Sequence, residues 1–158
     1  MLTKQILRSV LLLVVLGSLA IWGNRAYQRS RATATTPPPA AAVPVVTGNQ
    51  VVMTYFISGE RCENCRKIEL LCRQTAERDF ATELAGNRVV FRVIDTGEPA
   101  NAHYVADYQL TSKIVVLSHR VDGRETEWAA MEKVWDLLDD PAGFRAYLAA
   151  PIRKYLGP

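Results

Sequence analysis

Three cysteines and two histidines are all the soft ligands that the 158 residues offer. Zinc usually takes four ligands, and Cys72, His103 and His119 show no ligand-pair spacing, so one cysteine pair lacks the ligands for a zinc site within a single chain, and a site shared across a dimer stays open. Three cysteines are also too few to staple a secreted miniprotein, and the odd count leaves one thiol outside any simple pair. No Gly-rich dinucleotide fingerprint occurs, which leaves no nucleotide-cofactor site to expect, and no internal repeat is present. Acidic residues are missing from the first fifty positions, whereas Lys4, Arg8, Arg25, Arg29 and Arg31 all lie there. The other 14 of the 19 basic residues share the rest of the chain with all 16 acidic ones, so the formal net charge of +3 belongs to the N-terminal segment. There it flanks apolar residues, as for lipid headgroups, and argues against nucleic-acid binding.

What is present begins with a membrane-targeting pattern. Ser9 to Asn24 is an uncharged stretch of 16 residues containing Val10-Leu11-Leu12-Leu13-Val14-Val15-Leu16. A spanning helix wants ~20 apolar residues, so membrane contact is expected over residues 5–24, with Arg8 and Arg25 snorkelling at the ends. Two readings of residues 1–29 stay open. Ile21-Trp22-Gly23 continues the apolar run as a signal anchor would, while Ser18-Leu19-Ala20 offers a signal peptidase small residues. Residues 30–48 form an Ala/Thr/Pro-rich linker without periodicity; extended as polyproline II at ~3.1 Å per residue, it reaches as far as roughly 60 Å.

From residue 49 to 158 the pattern is globular. Val51 to Ile57 is a continuous β-branched and aromatic run, suited to a strand covered on both faces. Arg61 to Leu84 carries Cys65, Ile68, Cys72, Ala76 and Phe80 at helical spacing. Ala85-Gly86-Asn87 ends that helix, and Arg88 to Asp95 is a second strand. A short helix from Pro99 through Tyr108, a strand at Ile114 to Leu117, a turn at Val121-Asp122-Gly123-Arg124 and a strand at Glu125 to Ala129 follow. Helices are expected at Met131 to Leu138 and Pro141 to Leu156, with Pro151 a point of kinking in the last. The order predicts an α/β domain with a central mixed four-stranded sheet between helices.

The chemistry sits at Cys62-Glu63-Asn64-Cys65, where the first strand gives way to the first helix. Two thiols three positions apart on a first helical turn can close a small disulfide ring, and the helix amides favour a thiolate on the first sulfur. Arg61, Arg66 and Lys67 add to that effect, and Glu60 and Glu63 oppose it. Haem attachment is disfavoured because Arg66, not His, follows Cys65. Cys72, two turns further along the same face, reads as a small core residue, and Trp128 and Trp135 also fit the core. His103 and His119 read as surface or turn residues, and Arg120, Arg124 and Lys133 as solvated charges.

The order of elements, with the C-x-x-C at the first strand-to-helix junction, resembles the thioredoxin-like superfamily, a three-layer sandwich. More narrowly, the run Tyr55 to Glu69, with Asp107-Tyr108-Gln109-Leu110 and Val134-Trp135-Asp136-Leu137, is similar to a bacterial family of membrane-anchored thioredoxin-like proteins known as nitrophenyl compound nitroreductase subunits. The resemblance implies Cys62 as nucleophile and Cys65 as resolving thiol; by their charge, Arg61, Glu63 and Arg66 are the candidates to tune them. The thiol chemistry calls for a protein dithiol or disulfide partner, and because such N-terminal segments usually direct export, a single-pass place in the bacterial cytoplasmic membrane with the C-terminal domain extracytoplasmic is expected, or secretion if the signal is cleaved. The alternatives are a thiolate carrier of metal or metalloid and a non-catalytic subunit of a membrane redox complex. The chain departs from the superfamily pattern in three places. Ile114 stands where a cis-proline is usual, Met53 to Ile57 lacks an acid beneath the dithiol, and Arg61 replaces an aromatic residue before the first cysteine.

Overall fold

The structure, a computed structural model, describes residues 43–157. The expected anchor or signal peptide, residues 1–29, and the first part of the linker lie outside the described residues. Among the described residues no helix is long and apolar enough to cross a membrane.

The elements are β1 (Asn49–Ile57), α1 (Glu63–Asp79), α2 (Ala81–Ala85), β2 (Val89–Asp95), a 3-10 turn (Pro99–Asn101) and α3 (His103–Asp107). They continue with β3 (Ile114–Val121), β4 (Arg124–Ala130), a second 3-10 turn (Glu132–Val134) and α4 (Pro141–Leu156). Strand order in the sheet is β2-β1-β3-β4; β1 runs parallel to β2 and antiparallel to β3, and β3 and β4 form an antiparallel hairpin. A parallel pair needs a crossover, and α1 with α2 supplies it. This is the α/β domain with a central mixed four-stranded sheet that the order of elements predicts.

Central position explains why β1 is apolar without alternation. Val51, Met53, Tyr55 and Ile57 enter one core with Ile68, Leu71 and Cys72 of α1 and Phe144, Leu148 and Ile152 of α4. Phe56 faces the opposite side, in a smaller core with Ile94 and Val116 that Tyr104 and Tyr108 cover from α3 and its end. Burying side chains of this size removes water at about 1.5–3 kcal/mol each. The polar member of the run, Thr54, is buried but accepts a hydrogen bond from Arg92 Nε at 2.9 Å.

Several expected boundaries are corrected. The helix expected from Arg61 to Leu84 breaks at Phe80, which leaves helical dihedrals at φ −137°, ψ 32°. The separate α2 then hands the chain to β2, and Asn87, not Gly86, takes the left-handed turn at φ 57°. The helix expected at Met131 to Leu138 is a 3-10 turn and irregular chain. Met131 N–H still belongs to the sheet, donating to Val115 O at 2.8 Å, and most of the bonds that follow reach back three residues, as from Val134 to Met131 and from Asp140 to Leu137. Nevertheless Met131, Val134 and Leu138 are buried, so the apolar spacing served burial without an α-helix. α4 continues through Pro151.

The hairpin turn forms as its sequence indicates, with Asp122 at φ 50° and Gly123 at φ 80°. It also receives the end of the linker. Gly48 N–H donates to Asp122 Oδ1 at 2.8 Å, Asp122 N–H donates to Gly48 O, and Gln50 Nε2 donates to Pro44 O at 2.7 Å. Arg120 is not a simple solvated charge: it is half-buried and donates to Gly123 O within the same turn.

Candidate active site

The end of β1 and the start of α1 carry Cys62 and Cys65, and the two are joined by a disulfide with Cα atoms 5.1 Å apart. Cys62 is the N-cap of α1, in an extended conformation at φ −70°, ψ 169°, and its sulfur accepts from Cys65 N–H at 3.2 Å. The Cys65 amide of the first helical turn therefore faces the Cys62 sulfur, a geometry that favours negative charge there. The two sulfurs differ in access. Cys62 is exposed, whereas Cys65 is 1% exposed. An incoming disulfide can reach the first and not the second.

The loop that delivers Cys62 is fixed from β2. Asp95 Oδ1 accepts from Gly97 N–H at 2.8 Å and from Gly59 N–H at 3.3 Å, and Thr96 N–H continues the strand pairing onto Ile57 O. Gly59 turns the chain at φ 64°, where a side chain is disfavoured by roughly 1–2 kcal/mol. Nothing lies within 4 Å of a Cβ built there, so the strain is confined to the backbone. Gly59→Ala is therefore expected to lose about 1 kcal/mol in urea unfolding while keeping the fold.

Of the charged residues expected to tune Cys62, Arg61 pairs with Glu69, Nη1 to Oε2 at 2.6 Å, and Glu69 also receives Arg73 at 3.4 Å. Arg66 is exposed and folds back onto Arg61 O at 3.2 Å. Glu63 is exposed in the first turn of α1, and Lys67 bonds Asp139 at 2.9 Å. Around Cys62 the guanidinium of Arg61 is thus occupied by a carboxylate.

Ile114 begins β3, opposite Phe56 in register and packed with the smaller core. Among the described residues there is no cis peptide bond. The residue before it, Lys113, is the one sequence reasoning passed over. Its Nζ lies 3.8 Å from Cys65 Sγ and donates to Glu60 O, so the mouth of β3 reaches across to the disulfide loop. Trp135 Nε1 donates to Lys113 O at 2.9 Å and fixes that mouth from the 3-10 segment. A lysine immediately before a strand that pairs with the dithiol strand was the available signal.

Beneath α1, β1 offers Tyr55 where an acid is lacking. Its hydroxyl is buried with no hydrogen-bond partner among the described residues. Burial first, then the neighbouring Cys72 and Glu69, push its pKa up to about 12, so it is neutral at ordinary pH. Cys72 is buried and free, and burial with Glu69 nearby raises its thiol pKa well above the ordinary range. It stays a thiol, as its core position suggests. His103 lies 4.0 Å from Asp107 on α3, and His119 stacks on Tyr155 within β3, far along the sheet from the dithiol strand's end. Trp135 packs against the larger core and Trp128 against the smaller. Among the described residues no group of three or more His, Cys, Asp or Glu side chains is gathered for a metal ion.

Comparison with known proteins finds no matching family model and no matching curated protein. Among solved structures, the X-ray structure of Fasciola hepatica thioredoxin is similar to this chain. Identity is 22%, the match covers 52% of this chain and 68% of that one, and the TM-score is 0.35. At that TM-score it adds nothing to the topology described above.

Proposed function

We propose that this chain is a membrane-anchored thiol-disulfide oxidoreductase or redox relay, with Cys62 as nucleophile and Cys65 as resolving thiol. One observation carries the reading: an exposed helix-capping sulfur bonded to a buried one, at a strand-to-helix junction of a thioredoxin-like sheet. In the reduced protein the Cys62 thiolate attacks a disulfide of a partner protein and releases one partner thiolate. Cys65 then attacks Cys62, which closes the intramolecular disulfide and frees the second partner sulfur. A dithiol reductant returns the pair to the reduced state.

Anchoring rests on the uncharged stretch Ser9 to Asn24 between flanking basic residues, and the extracytoplasmic side on the usual direction of export by such segments. The narrower likeness to the nitroreductase-subunit family rests on the runs quoted for it. A dithiol domain lacking a dinucleotide fingerprint would serve such a complex by passing electrons through thiols, not by reducing a nitro group itself.

The test is reduction of insulin by dithiothreitol in the presence of the 158-residue chain, followed as turbidity. The rate is expected to exceed background with wild type and to fall to background with Cys62→Ser. Equal rates for the two would refute the assignment.

A further inference from the structure

We propose that Lys113 is a catalytic residue of the dithiol: its ammonium stabilises the Cys65 thiolate that resolves the mixed disulfide. This rests on the oxidoreductase reading and adds a group that none of the sequence motifs includes.

The need is plain from the burial of the resolving sulfur. Cys65 is 1% exposed, so water solvates a thiolate there poorly, and desolvation opposes the ionisation that attack requires. The Cys65 amide faces Cys62, one turn earlier, and does not meet that need. The Tyr55 hydroxyl of β1, buried in the core beneath α1, is neutral and supplies no charge. On the disulfide loop and α1, Arg61 is taken by Glu69, Glu63 and Arg66 are exposed, and Lys67 is paired with Asp139. Lys113 is the cation with a polar atom against the buried sulfur, at 3.8 Å. It is held there from two sides, by its own bond to Glu60 O and by the Trp135 bond to its carbonyl. A long side chain so tethered loses little further freedom when the thiolate forms.

In the resolving step the proton of Cys65 passes to water, leaving a thiolate beside the ammonium. Its electron pair forms the bond to Cys62 Sγ, the bond from Cys62 to the partner's sulfur breaks, and the partner leaves as a thiolate that takes a proton from water. The partner has gained two electrons and the Cys62–Cys65 pair has lost them. Closing the ring removes the charge on Cys65, so Lys113 favours the reduced state of the pair over the disulfide, and its loss should make the pair harder to reduce.

Two readouts test this on the 158-residue chain, with far-UV circular dichroism to establish folding and Lys113→Gln as a second neutral variant beside Lys113→Met. In the reduced Cys62→Ser background, thiolate absorbance at 240 nm below pH 9 reports Cys65. Its midpoint is expected about one pH unit higher with Lys113→Met and near the parent value with Lys113→Arg. With both cysteines present, the equilibrium with glutathione is expected to shift about tenfold toward the disulfide in Lys113→Met, or about 30 mV to more negative potential. An unchanged midpoint and an unchanged equilibrium in folded Lys113→Met and Lys113→Gln would overturn the proposal. Failure of the wild type to reduce insulin, with the Lys113 shifts intact, would remove the oxidoreductase reading and leave the pairing of Lys113 with Cys65 standing.

Discussion

On the proposed oxidoreductase reading, Cys65→Ala is expected to turn the protein from a turnover catalyst into a trap. Cys62 stays exposed at the N-cap of α1 and can still attack a disulfide, but no second sulfur lies within the same helical turn to release the product. Release then waits for an external thiol. Because groups held together on one scaffold react as if present at very high concentration, loss of the internal partner should slow turnover by at least about a hundredfold at millimolar thiol. Intact-protein mass spectrometry should show the chain carrying one covalently bound partner molecule, removable by excess dithiothreitol. Ala is the best helix former and Cys65 is a small core residue, so folding should survive and the loss be chemical. Turnover close to that of wild type would show that Cys65 does not resolve.

Phe144→Ala should have the largest effect on stability. Phe144 is fully buried in the first turn of α4, within the core that α1 and β1 share. Its own N–H donates to Asp140 O, and Asp140 Oδ1 caps the same turn by accepting from Gly143 N–H at 2.9 Å. Truncation removes a ring from a place where capped helix and central strand leave little room to collapse. A loss of about 3–5 kcal/mol is expected, which for a domain of this size lowers the melting temperature by roughly 10–20 °C. Thermal unfolding followed by circular dichroism measures it. In contrast with Cys65→Ala, whatever activity remains below the transition should keep normal turnover, because Phe144 touches none of the reacting atoms.

The elements that sequence made legible are those whose signal is local. β1 declared itself by seven consecutive large or β-branched residues, since a strand covered on both faces has no reason to alternate. Asp122-Gly123 specified its turn through backbone conformation alone, and Cys62-Glu63-Asn64-Cys65 placed the dithiol by spacing. What escaped was set by distant partners. The break at Phe80 depends on where β2 must begin beside Val51, and the 3-10 path after Met131 depends on that residue still pairing with Val115. Lys113 escaped as a site residue for the same reason, its place before β3 being its one local signal. Only the antiparallel register of β1 and β3, which sets Phe56 against Ile114, brings a residue 48 positions later to Cys65. Arg61 shows the converse: its position before Cys62 suggests a tuning charge, while a partner two helical turns away, Glu69, occupies it.

The contacts of Pro44 and Gly48 with Gln50 and the Asp122 turn give the domain two poles. Nine residues of β1 separate the place where the chain joins the sheet from the loop that carries the disulfide, a span of roughly 25–30 Å at ~3.3 Å per residue. Pro44 and Gly48 therefore meet the sheet at the end of β1 remote from Cys62, so the end that carries the exposed sulfur is not the end those residues cover.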